Sequence, residues 1–404
     1  VPAMFSLSVP AYHAEVSKML AEVPAAQWKS YLRFHLLDGA APYLSNDFVQ
    51  ANFEFYGKTL GGQKELRERG KRVLGTIDGQ VGEALGQMYV KVAFPAESKA
   101  KMETLIKNLG DALKLRIEGL EWMSADTKKK ALEKWASFQP RVGYPDKWRE
   151  WTGLSTSRDS YIGNVMAARK FNYKWDIGKI GQPVDKTEWG MRPQTVNAQY
   201  NPLANQITFP AAILQPPFFD PKADDALNYG GIVAVIGHEM THGYDDQGSR
   251  FDAKGTMLDS PGWGTQADLD SFKARTGKLV AQFNDYKASN GKALNGNHTL
   301  GENIADLGGL ATAYDAFTKA TAGQPDPKID GLTRDQRFFY GWATVWRRNF
   351  TPEELEQRLQ TDEHALAEYR AIGAPSNMPA FAQAFGCKVG DPMARDGDRH
   401  VVIW

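Results

Sequence analysis

The pattern His-Glu-x-x-His at residues 238–242 is the part of the sequence best suited to chemistry. Side chains four residues apart share one face of a helix, so nitrogens of His238 and His242 can bind one zinc ion at about 2.0–2.1 Å. Glu239 then lies near the open position of the metal, where a carboxylate acts as a base. The pattern also occurs by chance, but the apolar, glycine-rich run at 230–237 predicts a buried helix, in which these polar side chains need a partner.

A hydrolytic zinc site needs a third protein ligand and leaves its fourth position to water. Glu302 and Asp306 lie four residues apart in a predicted helix, so Glu302 can ligate while Asp306 fixes the tautomer of a ligating histidine. Thr299 and Glu302 also fit a capping box, which is the structural alternative. Asp245, three residues after the second histidine, is another candidate for orienting a ligand. His298 is a competing ligand, although it precedes the predicted helix.

Composition limits the other classes of function. The 48 basic and 48 acidic residues cancel, which argues against a nucleic-acid partner. Cys387 is the sole cysteine, so an internal disulfide and a cysteine-based zinc site are excluded. The uncharged stretch at 193–219 is long enough to span a bilayer, but its five prolines forbid a helix, so we expect no membrane span.

The elements that must position these residues form two predicted lobes, as expected for 404 residues. Helical periodicity dominates as far as about Phe171, for example in Leu105, Leu109, Leu113 and Ile117, and a capped helix is predicted from Ser124 to near Phe138. After Trp175 the sequence predicts short extended segments at 195–200 and 206–209. Further helices are predicted at 225–244, 266–286, 300–320, 333–349 and 352–370. We therefore predict a helical lobe at 1–175 and a catalytic domain at 176–404.

Taken together, these motifs resemble the M13 zinc metallopeptidases, the family of neprilysin and endothelin-converting enzyme, and within it the bacterial PepO-type oligopeptidases. The resemblance is carried by residues 196–200, 209–219, 228–231, 238–246, 301–306 and 385–404. Weaker likeness at 131–134 and 143–146 extends through the helical lobe to residue 1.

The resemblance implies a mainly α fold with a small β-sheet, in which a thermolysin-like zincin domain faces a helical lobe across an enclosed cavity. It implies one Zn²⁺ ion held by His238, His242 and Glu302. Glu239 is then the base, and Asp245 and Asp306 support the ligands, with Asp306 counted among the catalytic residues.

The resemblance also implies residues that bind substrate. Asn197 and Ala198 are expected on an edge strand that hydrogen-bonds the peptide backbone. His364 is expected to stabilise the oxyanion and Arg370 to hold a substrate carbonyl, although without the family both are more simply interpreted as surface residues. A hydrophobic pocket that favours large apolar side chains is also expected, lined by Ile213, Phe218, Val235 and Trp346. Without the family, these four residues are interpreted as ordinary residues of the hydrophobic core.

Two departures from the family pattern are visible. The chain starts partway through the helical-lobe pattern, so we expect a further N-terminal segment or a second chain of the same protein as a partner. Cys387 lacks the partner that it has in vertebrate relatives, and the C-terminal cysteine motif is replaced by residues 402–404. These features indicate a bacterial protein, which we expect outside the cytoplasm, in the periplasm or secreted, with a cytoplasmic location left open.

The resulting hypothesis is a zinc endopeptidase or oligopeptidase that cleaves short peptides on the amino side of large hydrophobic residues. An aminopeptidase is a weaker alternative because the sequence contains no Gly-x-Met-Glu-Asn element to hold a free amine. A catalytically inactive, zinc-bearing peptide-binding or scaffold protein is the alternative from another class, although such a protein needs no base at Glu239. A purely helical interaction protein leaves the paired histidines and acids unexplained.

Overall fold

A computed structural model describes residues 7–260, 262 and 264–404 of the chain. The predicted fold class is confirmed, since the described residues form mainly α-helices with a small three-stranded sheet. The helices, in chain order, are α1 (Pro10–Glu22), α2 (Ala25–Ala40), α3 (Asn46–Asn52), α4 (Arg69–Ala93), α5 (Ala96–Gly119), α6 (Ala125–Ala136), α7 (Tyr161–Gly178), α8 (Asp225–Asn228), α9 (Ala234–Thr241), α10 (Gln266–Asn284), α11 (Leu300–Ala320), α12 (Arg334–Val345), α13 (Pro352–Thr361), α14 (Ala367–Gly373) and α15 (Pro379–Phe385).

The chain divides into two compact units, and each is built from two separate stretches. One unit contains the described residues up to 82 together with 149–185, and the other contains 83–148 together with 186–404. The predicted lobe boundary between residues 175 and 176 stays a prediction. No helix of the described residues is both long enough and apolar enough to cross a membrane.

The first unit is held together largely by aromatic and polar contacts. The hydroxyl of Tyr161 in α7 donates to Thr76 of α4 at 2.8 Å. The guanidinium of Arg149 lies 4.6 Å from the ring centroid of Trp151 and 4.4 Å from that of Trp175, at cation–π distance. By contrast, every residue of α1 and α2 is at least partly exposed. These two helices therefore add little to the core of the unit.

The second unit contains the sheet and the apolar core. Strand β1 (Gln139–Gly143) pairs in parallel with the central strand β3 (Gln206–Pro210), and β2 (Gln199–Asn201) pairs antiparallel with β3 at the edge. All five residues of β3 are buried. Helix α5 presents its predicted apolar stripe to the same core, because its 3.6-residue period aligns four side chains that are at most 4% exposed: Leu105, Leu109, Leu113 and Ile117.

The edge strand is shorter than the sequence predicts. Asn197 and Ala198 were expected on this strand, but β2 begins at Gln199, so both residues precede it. If the register Gln199↔Thr208 continued, Asn197 would face Pro210. Proline has no N–H group to donate, so the ladder ends before that pair.

Two predicted helices are interrupted, each for a local reason. In the predicted helix 225–244, a π-helical turn at Tyr229–Val233 separates α8 from α9. The amide of Ile232 there donates to the carbonyl oxygen of Phe218 at 2.9 Å, a bond to a residue outside the helix. In the predicted helix 352–370, α13 ends at Thr361 because Asp362 accepts the backbone N–H of His364 at 3.0 Å, a local bond that competes with the helix.

Helices α9 and α11 pack closely against each other, and glycine makes this possible. A Cβ atom on Gly237 would lie 2.6 Å from the carbonyl oxygen of Gly309, and a Cβ atom on Gly309 would lie 2.2 Å from the backbone nitrogen of His238. The two backbones therefore touch, which brings the side chains of α11 within reach of those of α9.

Candidate functional site

Helix α9 supplies the paired histidines. It is buried along its whole length, and Ala234, Val235 and Ile236 pack into the core. His242 caps the helix in an αR conformation and its amide donates to the carbonyl oxygen of His238 at 3.1 Å, so the i, i+4 relation is kept. The two Nε2 atoms face each other at 3.0 Å.

Helix α11 brings the third predicted ligand to the pair. Glu302 Oε2 lies 3.1 Å from His238 Nε2, and Glu302 Oε1 lies 3.6 Å from His242 Nε2. One ligand atom from each residue lies within 4.8 Å of the others. The capping-box alternative is not realised, since the side chain of the N-cap residue Thr299 caps no amide of α11. His298 is exposed in the cleft wall near this helix.

Each histidine is held through its other ring nitrogen. Asp306 Oδ1 lies 2.8 Å from His238 Nδ1, and Asp245 Oδ2 lies 2.7 Å from His242 Nδ1. A carboxylate at Nδ1 keeps the proton on that nitrogen, which leaves the lone pair of a neutral imidazole on Nε2. Both predicted orienting acids are thus in contact with a histidine.

The geometry of these three residues fits zinc. Two lone pairs 3.0 Å apart repel unless a proton or a cation lies between them. Ligand atoms at about 2.0–2.1 Å from a tetrahedral zinc lie roughly 3.3–3.4 Å from one another. The two Nε2 atoms are 3.0 Å apart, and each lies near one oxygen of Glu302, His238 at 3.1 Å from Oε2 and His242 at 3.6 Å from Oε1. Within the described chain, Glu302 Oε2 is buried and receives no hydrogen bond. A divalent ion would satisfy all three groups.

The electrostatics of the cluster also favour a bound cation. Although burial disfavours the imidazolium, the hydrogen bond to Asp306 and the adjacent carboxylate of Glu302 raise the pKa of His238 to about 10. The same contact with His238 holds the pKa of Glu302 well below its usual range, against the effect of burial. The site therefore has a surplus of negative charge that a metal ion can neutralise.

Arg370 of α14 lies beside the cluster and is only 6% exposed. Its Nε and Nη2 atoms donate to the two oxygens of Asp306 at 2.8 and 2.7 Å. Nη2 also lies 3.6 Å from Glu302 Oε2, and the guanidinium stacks 3.9 Å from the ring centroid of Trp346. Arg370 thus compensates one carboxylate and still lines the cleft.

His364 faces the cluster from the loop between α13 and α14. Its Nε2 atom lies 3.3 Å from Glu302 Oε2, and its Nδ1 atom lies 2.8 Å from Asp362 Oδ1. Hydrogen bonds from His364 hold the pKa of Asp362 below its usual value although burial opposes this shift. Asp362 is not among the residues predicted from the sequence, although its place two residues before His364, in an Asp-x-His pattern, is a signal for this contact.

The three proposed zinc ligands line a cleft of about 970 Å³ in the second unit, together with His364 and Arg370. Glu239 is in its wall and 7% exposed; burial raises the pKa of its carboxyl, although nearby cations such as His238 oppose this. The predicted substrate-binding residues also line the cleft, namely Asn197, Ala198, Ile213, Phe218, Val235, Trp346 and Arg370. The structure therefore brings the predicted site residues to one cleft, except that Asp306 lies behind its wall and contacts His238 there. Their roles stay predictions.

Two family models match the chain. One, described as peptidase family M13, matches residues 197–401, and a second with the same description matches residues 2–145. Endothelin-converting enzyme 1 of Rattus norvegicus is 35% identical over 396 residues, which cover 95% of this chain and 51% of that protein. The chain spans about half the length of the curated relatives that it matches.

Solved structures are similar over nearly the whole chain. The crystal structure of Mycobacterium tuberculosis zinc metalloprotease Zmp1 in complex with an inhibitor is 43% identical and covers 98% of this chain and 60% of that one, with a TM-score of 0.93. PepO from Lactobacillus rhamnosis is 33% identical and covers 91% of this chain and 56% of that one, with a TM-score of 0.83. The two family models together match residues in both halves of the chain, and relatives and solved structures are similar over most of its length. The chain therefore belongs to peptidase family M13.

Proposed function

We propose that the protein is a zinc-dependent endopeptidase that hydrolyses short peptides. The observation that carries this proposal is the convergence of His238 Nε2, His242 Nε2 and Glu302 within 4.8 Å in the wall of a cleft that also contains Glu239. Membership of peptidase family M13 supports it.

His238, His242 and Glu302 hold one zinc ion in this proposal. When bound, zinc supplies a Lewis acid and lowers the pKa of water to about 7. The carboxylate of Glu239 accepts a proton from the attacking water and later passes that proton to the nitrogen of the leaving amine. Asp245 and Asp306 keep the two imidazoles in the tautomer that binds metal.

The other polar residues stabilise and align the substrate. When His364 carries a proton on both nitrogens, its Nε2 atom can donate to the oxygen on which charge develops, an effect worth about 2.7–4 kcal/mol per donor in a preorganised site. Arg370 and Asn197 orient the peptide, which lowers the entropic cost of reaching the reactive geometry. The position of all three in the cleft wall supports these roles.

Specificity is proposed to arise from the apolar part of the cleft. Its side chains favour a large hydrophobic residue, so that cleavage occurs on the amino side of that residue. The support is that four such side chains share the cleft with the histidines, namely Ile213, Phe218, Val235 and Trp346.

A further polypeptide is proposed to complete the protein. The support comes from α2, which is apolar around much of its circumference and yet exposes Leu32, Phe34 and Leu36 by 61–68%. A helix of this kind is normally buried. An N-terminal segment or a second chain of the same protein is the proposed cover. A bacterial origin and a location outside the cytoplasm stay predictions.

Peptide cleavage by the purified chain tests the function. The substrate is an internally quenched peptide with one central phenylalanine, supplied with a free or an acetylated amino terminus. We expect cleavage before the phenylalanine in both peptides, abolished by a chelator and restored by Zn²⁺. Cleavage of the free peptide alone would indicate an aminopeptidase. Tight zinc binding without cleavage would indicate the inactive binding protein.

A further inference from the structure

Lys134 of α6 is a buried cation that the proposed reaction does not use. The residue is 1% exposed, and its ammonium donates to the carbonyl oxygens of Gly248 and Phe251 at 2.7 and 2.8 Å. The rings of Tyr200 and Tyr244 face the ammonium at 5.8 and 5.9 Å. Lys134 therefore binds the loop that follows the second histidine.

Burial of this charge is costly. Desolvation lowers the pKa of the Lys134 ammonium to about 7, although Asp245 and Asp252 oppose the shift. A methionine of similar length fills such a space without this cost. The hydrogen bonds that the ammonium makes to the loop therefore provide a reason for a lysine at this position.

The backbone of Gly248 connects Lys134 to the proposed zinc site. The carbonyl oxygen of Gly248 accepts from Lys134, and the N–H of Gly248, in the preceding peptide group, donates to Asp245 Oδ1 at 2.6 Å. The N–H of Gln247 donates to the same oxygen at 2.9 Å. The other oxygen of Asp245 binds His242 Nδ1 at 2.7 Å. Short hydrogen bonds on the two sides of the Gly248 Cα atom thus join the ammonium to a proposed zinc ligand.

Attachment of α6 itself does not depend on the ammonium. Asn205 donates to the carbonyl oxygen of Lys134 at 2.8 Å and to Ser137 Oγ at 2.7 Å, which secures the end of the helix. At the other end, Asp268 accepts from Ser124 and Thr127. The role of the ammonium can therefore be separated from that of the helix.

We propose that Lys134 is a positioning residue for the zinc site, because it holds the Gly248 peptide and thereby fixes the Asp245 carboxylate that aims His242 Nε2. This inference rests on the zinc site proposed above. Lys134 is not among the residues that line the cleft, and it acts through the loop at 245–251.

The test compares zinc and cobalt binding by variants of the full 404-residue chain. Lys134→Met removes the ammonium and keeps the length of the side chain, Lys134→Arg keeps a cation, and Asp268→Asn loosens α6 at its far end without touching the series of hydrogen bonds. The zinc dissociation constant is measured by competition with a chelating dye. The visible absorption of bound Co²⁺ reports ligand geometry independently of activity.

We expect Lys134→Met to raise the zinc dissociation constant about 10-fold, at the lower end of the effects seen for partners of metal-binding histidines, and to shift the Co²⁺ bands. Lys134→Arg should recover most of both readouts. Asp268→Asn should lower the melting temperature and leave both readouts as in the wild type.

Unchanged zinc affinity and Co²⁺ absorption in folded Lys134→Met would overturn the proposal, and so would an equal loss in Asp268→Asn. If Lys134→Met does not fold, Lys134→Gln provides the same comparison, with a shorter neutral side chain. Failure of the wild type itself to bind zinc would instead overturn the proposed function, and this inference with it.

Discussion

Glu239 differs from the neighbouring carboxylates in the direction in which its pKa moves. Burial raises the pKa of Glu239, whereas those of Glu302 and Asp306 lie below their usual values despite burial, because His238 and Arg370 stabilise their anions. Carboxyl groups whose pKa values are driven apart usually have different roles. At the residue scale, Glu239 is the group suited to exchanging a proton, and the other two are suited to remaining charged.

The first prediction concerns Glu239. Glu239→Gln keeps the size of the side chain but cannot accept a proton, so we expect kcat to fall by about 10²–10⁴-fold with zinc content unchanged. Peptide turnover and metal analysis on the same preparation measure this. Glu353→Gln, on the exposed first turn of α13, is the control. A Glu239→Gln protein with wild-type turnover would remove this residue from the mechanism.

The second prediction concerns the third ligand. Removal of a ligand costs more than removal of a ligand's partner, so we expect Glu302→Ala to weaken zinc binding by more than about 100-fold. His298→Ala should bind zinc like the wild type, because its side chain is exposed outside the cluster. Equilibrium dialysis against buffered zinc measures both. If His298→Ala binds zinc more weakly than Glu302→Ala, His298 would be identified as the ligand.

Helical spacing explains why these residues could be predicted from the sequence. His238 with His242, and Glu302 with Asp306, are i, i+4 pairs, and a helix fixes their relation locally. Asp362 could not be found in this way, because its effect depends on a break between α13 and α14 that its own hydrogen bond to His364 helps to create. The link from Lys134 to Gly248 spans 114 residues and leaves no local pattern in the sequence.

At the scale of elements, the contact between α9 and α11 sets the site. We predict that Gly309→Ala destabilises the protein by about 3 kcal/mol or more and weakens zinc binding, because the new methyl group would lie 2.2 Å from the backbone nitrogen of His238. Gly277→Ala in α10 is the control, since no atom lies within 4 Å of its Cβ position; we expect it to be neutral or up to about 1 kcal/mol stabilising. Urea unfolding and zinc titration test both variants. If Gly309→Ala has the same stability and zinc affinity as Gly277→Ala, the close contact between α9 and α11 is contradicted.

The junction of α6 and α10 provides a prediction about pH. Burial alone would raise the pKa of the Asp268 carboxyl, but hydroxyl hydrogen bonds from Thr127, Thr265 and Ser124 outweigh burial and hold the pKa well below its usual range. The folded state therefore favours the anion, which contributes stability above the unfolded pKa of about 3.9. That contribution is lost as the pH falls below about 4.

We expect Asp268→Asn to lower the free energy of unfolding by about 2–3 kcal/mol at pH 7, because hydrogen bonds to a charged group are lost. The difference from the wild type should shrink as the pH falls from about 5 towards 2. Urea unfolding with a chelator in every sample measures it without a contribution from metal loss. A constant difference across this range would show that the charge of Asp268 is not the cause.

Element boundaries were predicted less well than the elements themselves. The apolar stripe of α5 and the capped start of α6 at Ser124 are local features and agree with the structure. The start of β2 depends on its partner Pro210, and the π-helical turn before α9 depends on the Phe218 carbonyl. Each partner lies outside the segment concerned. The sequence of that segment alone therefore does not predict where the strand begins or where the helix is interrupted.

At the scale of the whole molecule, contacts rather than chain order define the units. Residues 149–185 belong to the first unit, although residues 83–148, which belong to the second unit, separate them in the sequence from the rest of the first unit. Hydrophobic periodicity reports which face of a helix is buried, but not which distant segment buries it. Composition supports a large core, while the assignment of segments to units requires the structure.

The exposed apolar side chains of α2 lead to a prediction for the isolated chain. We expect it to bind a hydrophobic dye and to self-associate, because Leu32, Phe34 and Leu36 are each more than 60% exposed. The double variant Phe34→Glu/Leu36→Glu should reduce dye fluorescence and light scattering without loss of helical circular dichroism. Val184→Glu, at an isolated position that is 84% exposed, is the control. Lack of dye binding by the wild type would count against the proposal that a further polypeptide covers α2.

The main-chain contact between Gly237 and Gly309 has a consequence for the choice of ion. Because peptide groups rather than flexible side chains set the gap between the two helices, the pocket cannot widen to suit a larger ion without separating the helices. In the proposed zinc site, an ion of similar radius, such as Co²⁺, would therefore fit without a change in the backbone, whereas a larger ion, such as Cd²⁺ or Ca²⁺, would require the Glu302 side chain to move. We expect these two glycines to contribute to the selectivity of the site among metals.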